Sequence, residues 1–323
     1  MQPLLDAERL REHRQRNIMH SILLIGGIGA ILAVATTLLW GIAGIAVSLI
    51  GVGLLVLFAP SVPAAAVMRL YSARKVEPGS DQLSRVVDEL AQRAELPARP
   101  GLYVIPSATL NAFATGNPQN ASIAVTEGLL RRLTMREIAT VIAHEMSHIR
   151  NNDLWLMNLA DVMTRLVQSL SYVALALAIM NVFGMLTGEA PISWWAVLAL
   201  YVAPAFSSLL QLGLSRAREF DADLEAAMLT GDPMGLASAL SRLEHYQGQF
   251  WEDLVYPVPA RRVPQPSLLR THPATEERID RLRELAGSPS LPQIVVRDEP
   301  MVSMLGLGPI EMRPRYRFPG LWY

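Results

Sequence analysis

Residues 144–148 read His144-Glu145-Met146-Ser147-His148. Side chains four residues apart on a helix share one face, one turn apart. Two imidazoles so placed can bind one tetrahedral metal ion through nitrogen. The glutamate beside the first histidine can then take a proton from metal-activated water. Only six histidines occur in the chain, and two of them are these. The bland alternative is a pair of surface histidines with an ordinary salt-bridging glutamate.

Two histidines leave a catalytic zinc one protein ligand short. Downstream, Arg218-Glu219-Phe220-Asp221-Ala222-Asp223 is the best source of a third. Glu219 and Asp223 are four apart, so on a helix both carboxylates face one way. One can bind metal while the other steadies a ligating histidine. Taken alone, the same residues would read as a solvated face of alternating charge; beside the pentad the metal reading leads.

The pentad needs a helix, and the sequence supplies one. Thr134-Met135-Arg136-Glu137 is a capping box, in which the Thr134 hydroxyl accepts from the Glu137 amide and the Glu137 carboxylate reaches back. The helix therefore starts at Met135. With no Pro or Gly before Gly184, it is expected to run past residue 150. Upstream, residues 81–95 place Leu83, Val86, Val87 and Leu90 on one helical face. Residues 102–105 and 122–125 read as strands. The segment 110–118 between them reads as a loop with Gly116, Asn117 and Pro118 as turn residues. A helix is expected from near Arg216 to Gly231, a natural C-terminal cap, and another from the cap-like Asp232-Pro233. Residues 247–274 read as an irregular loop, and Thr275 caps a last helix ended by Gly287.

Two stretches are far more apolar than these. Residues 18–40 and 42–60 are each near the ~20 residues a helix needs to cross a bilayer core, with Gly41 and Gly44 at the turn between them. A second pair, 166–186 and 194–214, is interrupted by Gln168, Asn181, Ser207, Ser208 and Gln211, which are expected to face protein or a wet cavity. Arg9, Arg11, Arg14 and Arg16 precede the first stretch. Arg69, Arg74 and Lys75 follow the second, and Arg216 and Arg218 follow the fourth. Neither hairpin loop holds Lys or Arg. By the positive-inside rule both termini and the polar region lie in the cytoplasm.

Composition agrees. Among 323 residues, 51% are hydrophobic and only 18% charged, fewer charges than a soluble domain carries. A net charge of −1 gives no basic footprint for nucleic acid. With no cysteine, thiol catalysis, disulfides and iron–sulfur clusters are excluded.

Five motifs in one order now carry a resemblance. They are Asn111-Ala112-Phe113-Ala114-Thr115-Gly116, Thr126-Glu127-Gly128-Leu129-Leu130, the pentad at 144–148, Ser215 through Asp223, and Thr271-His272-Pro273-Ala274-Thr275-Glu276-Glu277-Arg278. Over residues 15–287 the chain resembles the HtpX family of integral-membrane zinc metalloproteases, relatives of the CaaX prenyl protease and Oma-type peptidases. The resemblance implies a mainly α (α+β) gluzincin fold with two transmembrane helical hairpins and a small sheet beside the active-site helix. It implies one zinc per chain on His144, His148 and Glu219, with Glu145 catalytic and Asp223 orienting a ligand histidine. Asn111, Ala112 and Phe113 are expected along the substrate cleft, where an edge strand could pair with an extended peptide; a tight turn is the alternative there. His272 either donates to the oxyanion or only shapes the entry to the last helix.

The expected organisation is a cytoplasmic N-terminal segment at 1–17 and a first transmembrane hairpin at 18–60. A first catalytic part follows at 61–165, then a second hairpin at 166–214, a second catalytic part at 215–287, and a Pro-rich tail at 288–323. The expected activity is a zinc-dependent endopeptidase of a bacterial inner membrane, cleaving membrane or misfolded polypeptides at the cytoplasmic face as quality control. A site-specific processing protease like the prenyl protease is the alternative. A non-catalytic zinc-containing membrane adaptor is less favoured, because an idle site has no need of Glu145.

Overall fold

The computed structural model describes residues 7–58, 64–188, 193–254, 275–286, 294, 316–317 and 321–322. The fold is mostly helical with a small mixed sheet, and it divides into two compact units.

The first unit holds Ser61–Leu154 and Arg218–Tyr323, with Met1–Leu10. Its sheet runs β1 (Arg74–Val76), β2 (Gly101–Ile105), β4 (Ser122–Thr126), β3 (Ala112–Thr115) in spatial order. β2 and β4 pair in parallel, while β1 and β3 add antiparallel at the two edges. β4 is central and buried along its whole length, as a strand covered on both faces must be. On one face Leu102, Val104, Ile123 and Val125 pack with helix α4 (Gln82–Arg93) and helix α6 (Met135–Arg150). On the other, Ile105 and Ala124 meet Met68 of α3 (Ala64–Leu70), with Tyr71 and Phe113 alongside. Each fully buried Leu or Ile here contributes about 1.5–3 kcal/mol.

Caps set the helix starts. Asp81 accepts from the Ser84 amide at 2.7 Å to open α4. Thr126 caps the short helix α5 (Glu127–Arg132). Thr134 and Glu137 form the complete capping box that opens α6. Asp232 accepts from the Gly235 amide at 2.9 Å, with Pro233 as the first residue of α9 (Pro233–Leu254).

Five expectations are corrected. The loop expected at 110–118 contains β3, because Ala112–Thr115 completes the sheet against β4. α6 does not run on past residue 150. It stops at Asn151, Asn152 takes φ +56°, and α7 (Asp153–Thr187) begins at once; asparagine tolerates the left-handed conformation that breaks the helix. No helix starts near Arg216, since α8 is continuous from Trp194 to Thr230 even through Pro204. It does end at Gly231, whose φ is +67° and whose N–H donates to Ala227 O. α9 extends to Leu254, into the expected loop. The last helix, α10 (Thr275–Leu285), includes Thr275 as its first residue. In the tail, a two-stranded ribbon pairs β5 (Tyr316–Arg317) with β6 (Leu321–Trp322). Gly287 and the rest of 255–274 and 288–323 lie outside the described residues.

The second unit comprises Arg11–Pro60 and Trp155–Ala217. α1 (Ala7–Trp40) turns at Gly41, with φ +65°, into α2 (Ile42–Phe58). A Cβ on Gly44 would stand 2.2 Å from Thr36 O, so only glycine admits this close approach, and Thr36 Oγ1 donates to Gly44 O at 2.8 Å. α7 and α8 are long and apolar enough to cross a membrane; the apolar stretches Ile25–Trp40 and Ile42–Leu54 are shorter. Of the interrupting polar residues, Asn181 and Ser207 are fully buried, and Thr164 meets Ser207 at 3.2 Å, whereas Gln168 and Ser208 are exposed.

Among the described residues, every exposed large hydrophobic side chain except Leu70 and Met234 belongs to this second unit. Ile42, Leu186 and Trp195 are about four-fifths exposed or more, at 85%, 79% and 79%. So much apolar surface in one unit is what a lipid-facing bundle presents.

Candidate metal centre

The capping box fixes where α6 begins, and ten residues later the helix turns His144 and His148 the same way. Their rings meet edge to face with centroids 4.8 Å apart, and their Nε2 atoms are 3.3 Å apart. α8 brings Glu219 to the same point. Its Oε2 lies 3.4 Å from His144 Nε2 and its Oε1 lies 3.6 Å from His148 Nε2. Tetrahedral ligands at 2.0–2.1 Å from one ion stand about 3.3–3.4 Å from each other. The two imidazole nitrogens therefore have the spacing of two corners of such a site, and the Glu219 carboxylate turns one oxygen to each ring, with one ligand atom from each of the three residues within 4.8 Å of the others.

Charge gives a second test of fit. Four carboxylates are buried here, Glu145, Asp153, Glu219 and Asp223, against two buried guanidiniums, Arg218 and Arg278. The excess of two negative charges matches a divalent cation. Burial alone would lower both imidazoles, yet the surrounding carboxylates outweigh it. His144 and His148 end above the ordinary histidine range, with Asp223 and Asp153 respectively the strongest partners. Metal and protons would compete for the ring nitrogens.

The Nδ1 side of each ring is also held. His144 Nδ1 lies 3.1 Å from Asp223 Oδ1, and His148 Nδ1 lies 3.0 Å from Asp153 Oδ2. A carboxylate on Nδ1 leaves Nε2 for the ion. Asp153 reaches His148 because α6 breaks at Asn151–Asn152 and α7 starts with Asp153.

Glu145 is buried, and its Oε2 accepts the Ala114 N–H of β3 at 3.0 Å. Burial pushes its carboxyl up, partly opposed by the two imidazoles and by that N–H. The strand register explains the donor. Asn111 O accepts from the Thr126 amide at 3.0 Å, so alternate residues turn their backbone groups to β4 and Ala112 and Ala114 turn theirs to the outer edge.

His144, Glu145, His148, Glu219 and Asp223 thus come together in one cluster, buried except for the partly exposed His148. Ala112 lies on the edge strand beside α6. Asn111 places its backbone on Thr126, and its Oδ1 is buried with no hydrogen-bond partner among the described residues. Phe113 turns its ring toward Tyr71, at 5.3 Å between centroids. His272 lies outside the described residues. Sequence reasoning missed Asp153, Arg218 and Arg278. Asp153 stands five residues past His148 and Arg278 closes the fifth motif, but neither spacing alone assigns a partner.

The model of peptidase family M48 matches residues 78–286. A protease HtpX homolog of Desulfatibacillum aliphaticivorans is 35% identical over 298 residues, 87% of this chain and 95% of that protein. One of Acaryochloris marina is 43% identical over 67% of this chain and 76% of its own length. Protease HtpX of Legionella pneumophila is 35% identical over 83% of this chain and 99% of its own. The crystal structure of S. mikatae Ste24p aligns at 18% identity and a TM-score of 0.46, over 85% of this chain and 67% of that one.

Proposed function

The chain belongs to peptidase family M48 and is a membrane-bound metallopeptidase, and we propose that its metal is zinc, held by His144, His148 and Glu219. The observation that supports this reading is that His144 Nε2 and His148 Nε2 lie 3.3 Å apart and each lies within 3.6 Å of one oxygen of the Glu219 carboxylate. Three protein ligands leave a fourth corner for water or substrate, the pattern of a catalytic site. When bound, zinc supplies Lewis-acid polarisation of the scissile carbonyl and an acidified water.

The chain's own residues do the rest. Glu145 is the general base. Its Oε2 is occupied by the Ala114 N–H, so Oε1 takes the proton of the attacking water and returns it to the leaving amine. Asp223 and Asp153 keep the ligand rings in register. The outward backbone groups of Ala112 and the outward carbonyl of Ala114 offer an extended polypeptide a strand edge, with Asn111 and Phe113 flanking it. His272 supports the developing oxyanion. The substrates are membrane or misfolded proteins of a bacterial inner membrane, met at its cytoplasmic face, and the role is proteolytic quality control.

The test is Glu145→Gln. It retains one zinc per purified chain, while casein cleavage falls by at least about a hundredfold, the usual range for a lost general base. Cleavage at the wild-type rate removes Glu145 from the mechanism. His272→Ala keeps full zinc content and lowers turnover; unchanged turnover removes His272. In cells carrying Glu145→Gln, many membrane proteins accumulate, whereas a single accumulated protein marks a dedicated processing enzyme.

A further inference from the structure

Behind each ligand histidine stands not one buried group but two. Asp223, 4% exposed, lies on His144 and is gripped by Arg278, also 4% exposed, through two parallel contacts. Nε reaches Oδ2 and Nη2 reaches Oδ1, each at 2.6 Å. Asp153, 3% exposed, lies on His148 and meets Nη1 of Arg218, a residue 2% exposed, at 3.0 Å. Arg278 Nη1 also lies 3.4 Å from Glu219 Oε2. From this geometry we infer that the His144–Asp223–Arg278 relay sets the metal site, with Arg278 as its positioning residue. The inference rests on the metal reading of the site and deepens it.

The physical need is orientational. An aspartate held at one oxygen can still rotate about its Cβ–Cγ bond, and the imidazole follows. A guanidinium that holds both oxygens fixes the carboxylate plane, hence the ring and the aim of Nε2. Arg278 does this for His144 and also contacts Glu219, so it steadies two of the three ligands at once. It is carried by α10, whose Arg281 stacks on the Phe220 ring at 3.6 Å, next to Glu219. α10 is therefore part of the metal site, although it supplies no ligand. Burying a guanidinium and a carboxylate is costly, and such a pair is seldom retained for stability alone.

The experiment uses the full chain in detergent, stripped of metal and loaded with cobalt(II). Wild-type protein binds one cobalt with the visible spectrum of a tetrahedral ion. Arg278→Lys keeps the charge but not the fork. Its cobalt affinity, measured by chelator competition, falls about ten- to a hundredfold, the usual range for a lost supporting contact, and its spectrum changes. Arg278→Ala falls at least as far. Arg283→Ala, on the exposed side of the same helix and paired with Asp280, keeps both affinity and spectrum. Folded Arg278→Lys with wild-type affinity and spectrum overturns the relay. So does a smaller folded fraction whose metal-bound part is spectrally unchanged, because that is a purely structural role. If Arg278→Ala fails to fold, the lysine variant decides alone. Wild-type protein that binds no cobalt, or binding that survives His144→Ala, overturns the metal reading itself and the relay with it.

Discussion

Ala114 has a side chain of one methyl, yet its backbone N–H is the group that fixes the general base. That N–H points away from β4, so a proline there would remove the contact with Glu145 while leaving the sheet ladder intact. Ala114→Pro is expected to fold, to retain metal, and to lose most peptide cleavage. Retained cleavage would mean that Glu145 does not depend on β3. The pentad itself was legible because its three polar groups are contiguous and their chemistry depends only on helical spacing. Asp153 and Arg278 were not, because each reaches its histidine or aspartate through tertiary packing. Asp153 arrives by an asparagine-mediated helix break, and Arg278 arrives from a helix 55 residues beyond Asp223.

At the element scale, the caps carried most of what could be read. Thr134 with Glu137, Asp232 with Pro233, and Gly231 all act where the sequence puts them, because capping is settled within four residues. Thr134→Ala removes the oxygen that accepts the Glu137 amide at 3.3 Å. It should lower stability by about 1 kcal/mol, read as a lower unfolding temperature. Asp232 does more, capping α9 and pairing with Arg136 of α6 at 2.5 and 2.8 Å. Burial alone would raise its carboxyl, but the guanidinium and the Gly235 N–H outweigh this and hold it below its ordinary value. Its contribution is therefore fully present above the unfolded-state pKa, near 3.9, and is lost as pH falls through the lower folded-state value. Asp232→Asn should flatten the acid limb of a stability–pH curve; an unchanged limb would show that other carboxylates set it. The misread elements fail for a shared reason. β3 is only four residues, Ala112 to Thr115, that become a strand by pairing with β4. α8 passes from apolar to charged sequence as one helix, through Pro204 and Gly213, so the composition changes while the backbone does not.

For the whole molecule, the decisive feature is where apolar surface stays exposed. Its confinement to the second unit predicts that the chain resists alkaline washing of membranes and is released only by detergent. Arg218 is buried against Asp153 and cannot serve as a headgroup contact, so after the fourth apolar stretch only the exposed Arg216 counts. The proposed cytoplasmic side then rests on the N-terminal arginines and the set Arg69, Arg74 and Lys75. Because the chain has no cysteine, this orientation can be read by single cysteines and a membrane-impermeant maleimide. Ile42→Cys and Thr187→Cys sit at exposed positions beside the two hairpin turns, and Glu77→Cys and Glu276→Cys sit at exposed positions of the first unit. In intact cells the first pair should label and the second should label only after the membrane is opened. The reverse pattern would put the metal centre outside, and labelling of both pairs in intact cells would remove the membrane barrier between them altogether.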